Sequence, residues 1–172
     1  MQYVKIPLER VPFLIGERGD VIKEIEKITK TKIRVMDTSV EIEGEPLDEW
    51  IAMDIVKAIG RGFSPDTAMK LLNEDITLLI IPLKELTNTK KELERKKGRV
   101  IGERGRAKRY IENMTDTDIC VYGSTIGIIG YHDNVDIAKE AIIKLIRGSQ
   151  HASVYRFLER QYKRQKAKLD FY

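Results

Sequence analysis

The apolar positions of this chain change their spacing along its length, and the changes predict an order of strands and helices. Ile22, Ile25 and Ile28 recur every three residues, as on the buried face of a helix. Short apolar or alternating runs predict strands at Gln2–Pro7, Lys32–Met36, Val40–Glu43, Ile76–Pro82, Asp118–Tyr122 and Thr125–Ile129. The predicted helices end at Gly16 and Gly102, begin at Gly19 and Gly105, and cover Leu47–Ile59, Pro65–Leu72, Val135–Arg147 and Ser153–Leu169. The order β-α-α-β-β-α therefore occurs twice, which indicates an α+β fold with a last helix.

The two halves also match residue by residue. At an offset of 86 residues, half of the 172-residue length, segments 15–35 and 101–121 are identical at 11 of 21 positions without a gap. The period exceeds the 20–50 residues of solenoid repeats, so it indicates a small domain used twice. We expect domain 1 at residues 1–74, with a linker helix, and domain 2 at residues 75–172, with a helical extension.

The motif Gly-Glu-Arg-Gly occurs in both halves, at residues 16–19 and 102–105, between two predicted helices. Two glycines three residues apart let the chain reverse sharply and approach another backbone closely. The amide groups that begin the next helix, together with the helix dipole, favour a phosphate, and the arginine adds a charge-assisted donor. A single such motif is more often a helix cap. Two copies in one register favour a binding role.

The segment 14–25, Leu-Ile-Gly-Glu-Arg-Gly-Asp-Val-Ile-Lys-Glu-Ile, resembles the core motif of KH domains, I-G-x-x-G-x-x-I-x-x-I. The element order is similar to the type I form. In KH domains this GXXG loop binds the backbone of four single-stranded nucleotides, and the bases lie in an adjoining apolar groove. The second half departs from the motif once, at Lys108, which matches Ile22.

The resemblance implies an RNA-binding surface in each half. In domain 1 the implied residues are Ile15, Gly16, Glu17, Arg18 and Gly19. In domain 2 they are Arg99, Val100, Ile101, Gly102, Glu103, Arg104, Gly105, Arg106, Lys108 and Arg109, with Ile119, Cys120 and Val121 of the next strand.

A closer resemblance covers most of the chain. Segments 105–115 and 60–65, with Gly130 and the segment Val154-Tyr155-Arg156, are similar to the Partner-of-Nob family of ribosome-assembly KH proteins and to its KRR-motif processome relative. This resemblance implies a factor that binds the 3′ region of small-subunit ribosomal RNA. It also implies protein partners such as the endonuclease that trims that end and the dimethyltransferase that modifies it.

The basic residues are concentrated near the second motif, although the net charge of the chain is only +4. Residues 96–109 hold seven basic residues against one acidic residue, whereas the matching residues 10–23 hold three against two. Because phosphate contacts supply most nonspecific affinity for nucleic acid, we expect domain 2 to be the main RNA clamp. Domain 1 then binds weakly or docks a protein.

The last helix carries a second basic cluster. Residues 156–168 hold six basic residues against one acidic residue. This helix could follow RNA, meet an acidic protein face, or pack on domain 2 through Tyr155, Phe157 and Leu158, and we favour packing close to RNA.

Other classes of function are disfavoured. One cysteine, Cys120, and two histidines exclude a disulfide framework and a histidine-rich or cysteine-based metal site within the chain. No nucleophile, paired-carboxylate or P-loop motif is present, so we expect a non-enzymatic protein without a cofactor. The longest apolar stretch, Ile76–Leu83, is far shorter than a membrane span, and the first residues lack a signal-peptide pattern, so we expect a cytoplasmic protein. Two alternatives remain: a KH protein of messenger or exosome-linked RNA, and an adaptor whose KH folds dock proteins.

Overall fold

The chain folds twice through the same order of elements, β-α-α-β-β-α, as the sequence predicts. The computed structural model describes residues 1–170 and forms two units, which meet in the sequence between Leu78 and Leu79. The first unit contains β1 (Gln2–Lys5), α1 (Val11–Ile15), α2 (Asp20–Thr29), β2 (Lys32–Met36), β3 (Ser39–Glu43), α3 (Pro46–Gly60) and α4 (Pro65–Ala68). The boundary falls within β4 (Ile76–Pro82), which pairs in the sheet of the second unit. The second unit also contains α5 (Lys90–Ile101), α6 (Arg106–Thr115), β5 (Asp118–Tyr122), β6 (Thr125–Tyr131), α7 (His132–Ile146) and α8 (His151–Asp170).

The bounds differ from prediction where local chemistry overrides the apolar pattern. The first strand ends at Lys5 instead of Pro7, because residues 8–10 already form a 3₁₀ turn. The helix predicted over Pro65–Leu72 is α-helical only to Ala68 and continues as a 3₁₀ turn. Its start is as expected, since Ser64 Oγ accepts the N–H of Thr67 at 3.2 Å as an N-cap.

Each unit has one antiparallel three-stranded sheet with its last strand in the middle, in the orders β1-β3-β2 and β4-β6-β5. In the second unit, Ile119 of β5 lies opposite Ile128 of β6, and both are buried under the helices. The last helix, α8, completes this core with Val154, Phe157 and Leu158. The predicted packing is therefore confirmed at Phe157 and Leu158, and Tyr155 packs against the same core while partly buried. Tyr162, one turn farther along the helix, is 45% exposed.

The residues that the halves share form the same junction between helix and strand. In the first unit Thr29 Oγ1 donates to the carbonyl oxygen of Ile25 at 2.6 Å and is hydrogen-bonded to Thr31 Oγ1 at 2.8 Å. A Cβ on Gly44 would lie 2.9 Å from Thr31 Cγ2, so only glycine lets β3 end so close to this pair.

The second unit repeats the junction with Thr115, Thr117 and Gly130. The repeat identities at these positions are thus explained by packing within each unit.

No helix within residues 1–170 combines the length and the apolar character that crossing a membrane requires.

Candidate nucleic-acid interface

Both GXXG segments form a left-handed turn between two helices. In the second unit φ is +74° at Gly102, +57° at Arg104 and +73° at Gly105. The first unit has the same turn, with φ between +56° and +77° at Gly16, Arg18 and Gly19. Arg104 adopts a left-handed conformation that L residues visit rarely. Gly102 and Gly105 supply the other two positive φ values of the turn.

The two glycines of the motif serve different purposes. A Cβ on Gly102 would lie 2.6 Å from Ala107 Cβ and 2.8 Å from Ala107 N. The combination of φ +74° with ψ 174° at Gly102 is also essentially restricted to glycine. A Cβ on Gly105 would meet only the guanidinium of Arg109, at 3.2 Å. The first glycine therefore lets the turn lie against the following helix, and the second only supplies a positive φ.

Three arginines surround the second turn. Arg104 lies within it, Arg106 begins α6, and the guanidinium of Arg109 lies beside Gly105. All three are exposed, and within residues 1–170 their side chains make no hydrogen bond or ion pair. Together with the amide groups that begin α6, they form a cationic surface suited to a phosphate.

The first turn carries a carboxylate where the second turn carries an arginine. Asp20 stands where the second unit has Arg106, and its Oδ1 accepts the backbone N–H of Val21 at 2.8 Å. The same Oδ1 packs over Gly16, only 2.2 Å from where a Cβ would stand. A negative charge therefore lies at the start of α2 beside the turn, where it opposes the binding of an anion. Arg18 is exposed, and Lys23 lies beside Gly19.

Two of the predicted RNA-binding residues face the interior. Arg99 Nε donates to the carbonyl oxygen of Leu145 at 2.9 Å, and Arg99 Nη2 donates to the carbonyl oxygen of Ser149. Leu145 lies in the last turn of α7 and Ser149 lies just beyond it, where backbone acceptors lack helical partners. Val100 is fully buried in the core. The positions of both side chains favour a role in supporting the turn over contact with a ligand.

The first unit makes the same anchor from another position. Arg10 Nε donates to the carbonyl oxygen of Ile59 and Arg10 Nη2 to that of Phe63, both at 2.9 Å. Ile59 and Phe63 are the repeat partners of the two carbonyls that Arg99 binds, but Arg10 is not the repeat partner of Arg99.

Lys108 belongs to a chain of contacts that ends on the edge strand. Its Nζ lies 3.1 Å from Glu112 Oε1, and Glu112 Oε2 accepts the backbone N–H of Ile119 at 3.0 Å. That N–H points away from β6. Backbone N–H and C=O groups of every second residue of a strand point to the same side, so those of Val121 also point away from β6. Ile119 and Val121 thus turn backbone groups towards the open edge of the sheet. The side chain of Ile119 is buried, and Cys120 lies on the sheet face opposite the core.

The remaining predicted residues lie at the turns. Ile15 and Ile101 are half-buried at the ends of α1 and α5. Glu17 and Glu103 are exposed within the turns, each one residue after the first glycine.

Residues of α8 also support the second turn, among them His151, to which the sequence assigned no role, and Tyr155, which it assigned to packing. His151 Nε2 donates to the carbonyl oxygen of Arg99 at 2.9 Å, near the end of α5. Tyr155 packs on Tyr110 with 4.3 Å between ring centroids, and Tyr110 Oη donates to Glu159 at 3.2 Å. Burial first, and then this carboxylate, raise the pKa of Tyr110. No sequence motif marks His151 for this role; only the general need of helix-end carbonyls for donors indicates that some residue fills it.

Comparison with known proteins places this geometry in a family. Residues 77–163 match the family model described as the eukaryotic type KH domain (KH-domain type I), and residues 1–58 match the KH domain model. The chain is 45% identical over 174 residues to KH domain-containing protein MJ0443 of Methanocaldococcus jannaschii, covering 98% of this chain and 76% of that protein.

A second relative and a solved structure extend the comparison. Pre-rRNA-processing protein PNO1 of Chaetomium thermophilum is 31% identical over 131 residues, which are 74% of this chain and only 50% of that protein. The crystal structure of an a/eIF2alpha–aDim2p–rRNA complex from Pyrococcus horikoshii contains a chain that is 49% identical, with a TM-score of 0.88 and coverage of 94% of this chain and 93% of that one. The chain belongs to the PNO1 family of KH-domain ribosome-assembly proteins.

Proposed function

We propose that the chain is a non-enzymatic RNA-binding factor of small-subunit ribosome maturation, and that its second unit holds the RNA. The exposed cluster of Arg104, Arg106 and Arg109 around a glycine turn at the start of α6 carries this proposal. The turn supplies amide groups, the arginines supply charge, and the open edge of β5 supplies backbone groups that can pair with the edges of unstacked bases.

The expected substrate is single-stranded RNA from the 3′ region of small-subunit rRNA. The names of two relatives support this choice, since one is a pre-rRNA-processing protein and the other was crystallised with rRNA. The Pyrococcus horikoshii complex also contains a/eIF2alpha, which makes a translation-factor subunit a further candidate partner. The 3′-end endonuclease, the dimethyltransferase and a cytoplasmic location stay predictions.

The carboxylate at the turn of the first unit supports a division of labour. With Asp20 on the start of α2, the first unit has little affinity for a phosphate at its GXXG turn. Its role in this proposal is to dock protein or to support the second unit.

Paired substitutions in the two turns test the proposal. Changing Glu103-Arg104 to Asp-Asp should weaken binding of a single-stranded rRNA 3′-end oligonucleotide by roughly tenfold or more, because it removes a charge-assisted donor. Changing Glu17-Arg18 to Asp-Asp is the matched control and should have little effect. Aspartate tolerates the left-handed conformation, so both variants should fold.

The same titrations separate the alternatives. Each is repeated at several salt concentrations with an unrelated oligonucleotide of equal length. Equal losses from the two double variants would contradict the dominance of the second unit, and the absence of saturable binding to any RNA would favour a protein adaptor. Crosslinking in cells followed by sequencing of the attached RNA would distinguish rRNA from messenger or exosome-linked RNA.

A further inference from the structure

A pocket lies beside the second GXXG turn, on the side of α5 and α8. Its volume is about 510 Å³, within the range of roughly 300–1,000 Å³ that small-molecule sites occupy. Arg95, Arg99 and Arg106 contribute positive charge to its lining, and Glu103 contributes one negative charge. The guanidinium of Arg99 is already bound to two backbone carbonyls, so Arg95 and Arg106 are the cations left for a ligand. The rings of His151 and Tyr155 also line it.

The pocket includes a glycine that the fold does not require. Gly98 lies in the interior of α5, where glycine weakens a helix relative to alanine. Its φ is not positive, and no atom lies within 4 Å of the place where a Cβ would stand. The bare backbone at Gly98 therefore leaves room for a ligand without serving a turn or a close contact within the protein.

The two rings of the pocket are held in place by the rest of the unit. Tyr155 packs on Tyr110, whose hydroxyl is fixed by Glu159, and His151 is tied to the carbonyl oxygen of Arg99. Rings held in this way are suited to stack an unpaired base, and arginines close by are suited to its phosphate.

We propose that this pocket holds one further nucleotide of the strand that the GXXG turn binds. Its phosphate faces Arg95 and Arg106, and its base lies against His151 and Tyr155. The inference rests on the proposed function and extends it, because Gly102 and Glu103 belong to both the turn and the pocket, so that the strand continues directly from one to the other. An acidic peptide would use the arginines but not the rings, which makes it the less suitable occupant.

Variants at Gly98 and Arg95 test this extension, because neither residue belongs to the turn. Gly98→Leu fills the pocket with a good helix former and should leave the unfolding temperature unchanged or raised. Arg95→Gln removes one cation. Lys139→Gln, an exposed site on α7 that does not line the pocket, is the control for charge.

The readout is the dependence of binding on RNA length. Random-sequence oligonucleotides of four to eight nucleotides are titrated into each variant to obtain dissociation constants. For the shortest oligonucleotides, binding is measured from the changes in NMR chemical shifts. Tetranucleotides, which a KH groove accommodates, should bind all variants alike. Octanucleotides should bind Gly98→Leu at least about fivefold more weakly than the wild type, the loss expected for one stacked base. Arg95→Gln should lower the salt slope for octanucleotides by about 0.7, as for one lost phosphate contact on a single strand.

Two results would overturn the inference. One is equal binding of octanucleotides by Gly98→Leu and the wild type, which is also the result expected if the pocket serves an acidic peptide. The other is an equal loss for tetranucleotides and octanucleotides, which would mean that the variant disturbs the turn itself. Failure of the proposed function would show earlier and separately, as absence of RNA binding by the wild type.

Discussion

The guanidinium carbon of Arg10 lies 4.0 Å from the ring centroid of Phe13, and Phe13 is the repeat partner of Arg99. In both units an arginine thus binds the backbone carbonyls at the end of the long helix, α3 or α7. The two arginines come from different repeat positions, because Arg99 corresponds to position 13 and not to position 10. In the first unit Arg10 stacks on Phe13. In the second unit Arg99 itself stands at the position that corresponds to Phe13.

This arrangement predicts that Arg99 serves stability more than RNA binding. Arg99→Lys keeps the charge but loses the two-pronged hydrogen bonding, so it should destabilise the protein by about 1–3 kcal/mol. Urea unfolding gives the free energy, and RNA titration of the folded variant should stay within about twofold of the wild type. A large loss of RNA affinity at unchanged stability would instead make Arg99 a direct contact.

Asp20 offers a gain-of-binding test in the first unit. Asp20→Arg should open the start of α2 and raise its affinity for single-stranded RNA, because it removes an intramolecular anion and adds a cation. The effect is best measured in the Glu103-Arg104 to Asp-Asp background, where the second turn is silenced. Recovery of several-fold in affinity is expected. Asp20→Asn is the control for loss of charge alone, and no gain from either change would rule out the carboxylate as the block.

The two glycines of the second turn should respond differently to alanine. Gly102→Ala should cost more stability than Gly105→Ala, since a Cβ at Gly102 meets Ala107 while one at Gly105 meets only a flexible arginine. Strain at positive φ alone costs about 1–2 kcal/mol, the expected loss for Gly105→Ala. Thermal or urea unfolding measures both variants, and similar losses would show that the contact with Ala107 relaxes easily.

Glu92 makes the start of α5 sensitive to pH. Its Oε2 accepts the N–H of Asn88 at 3.0 Å, while Thr89 Oγ1 accepts the N–H of Glu92, which is a variant of the capping box. The bond from Asn88, and then that from Lys96, lower the pKa of Glu92 below its usual 4.5. A lowered pKa means that this stabilisation is complete above pH 4.5 and is lost as pH falls through the lowered value.

The matched variant Glu92→Gln keeps the acceptor without the charge. It should be less stable than the wild type at pH 7, and the difference should narrow as pH falls below 4.5. Thermal unfolding of both proteins between pH 7 and pH 3 checks this, and a difference that is constant over the range would contradict it.

The sequence predicted the elements well because the repeat supplied each of them twice. The apolar spacing placed Ile25 on the buried face of α2, and Ile25 is buried. The same spacing was wrong for Ile28, which is 44% exposed near the end of the helix. Strand and helix ends were less accurate. Leu8–Arg10, for example, forms a 3₁₀ turn that an apolar pattern does not reveal.

The site was harder to predict, because counting charges does not give their direction. Of the seven basic residues near the second motif, Arg99 points at carbonyls. Three others lie beside carboxylates, namely Lys96, Lys97 and Lys108. The acidic residue at the first turn, Asp20, counted in the sequence only as one negative charge. Its effect depends on a hydrogen bond to Val21, and that bond is visible only in three dimensions.

The threonine junctions bear on how a chain with two similar halves avoids misassembly. Thr29 bonds Thr31 two residues away, and Gly44 closes on the same residue thirteen positions later, so each junction forms from near neighbours in the sequence. Contacts of short sequence separation form early in folding. Each half can therefore complete its own helix–strand corner before its elements meet their counterparts from the other half, and this limits the cross-pairing to which repeated domains are prone.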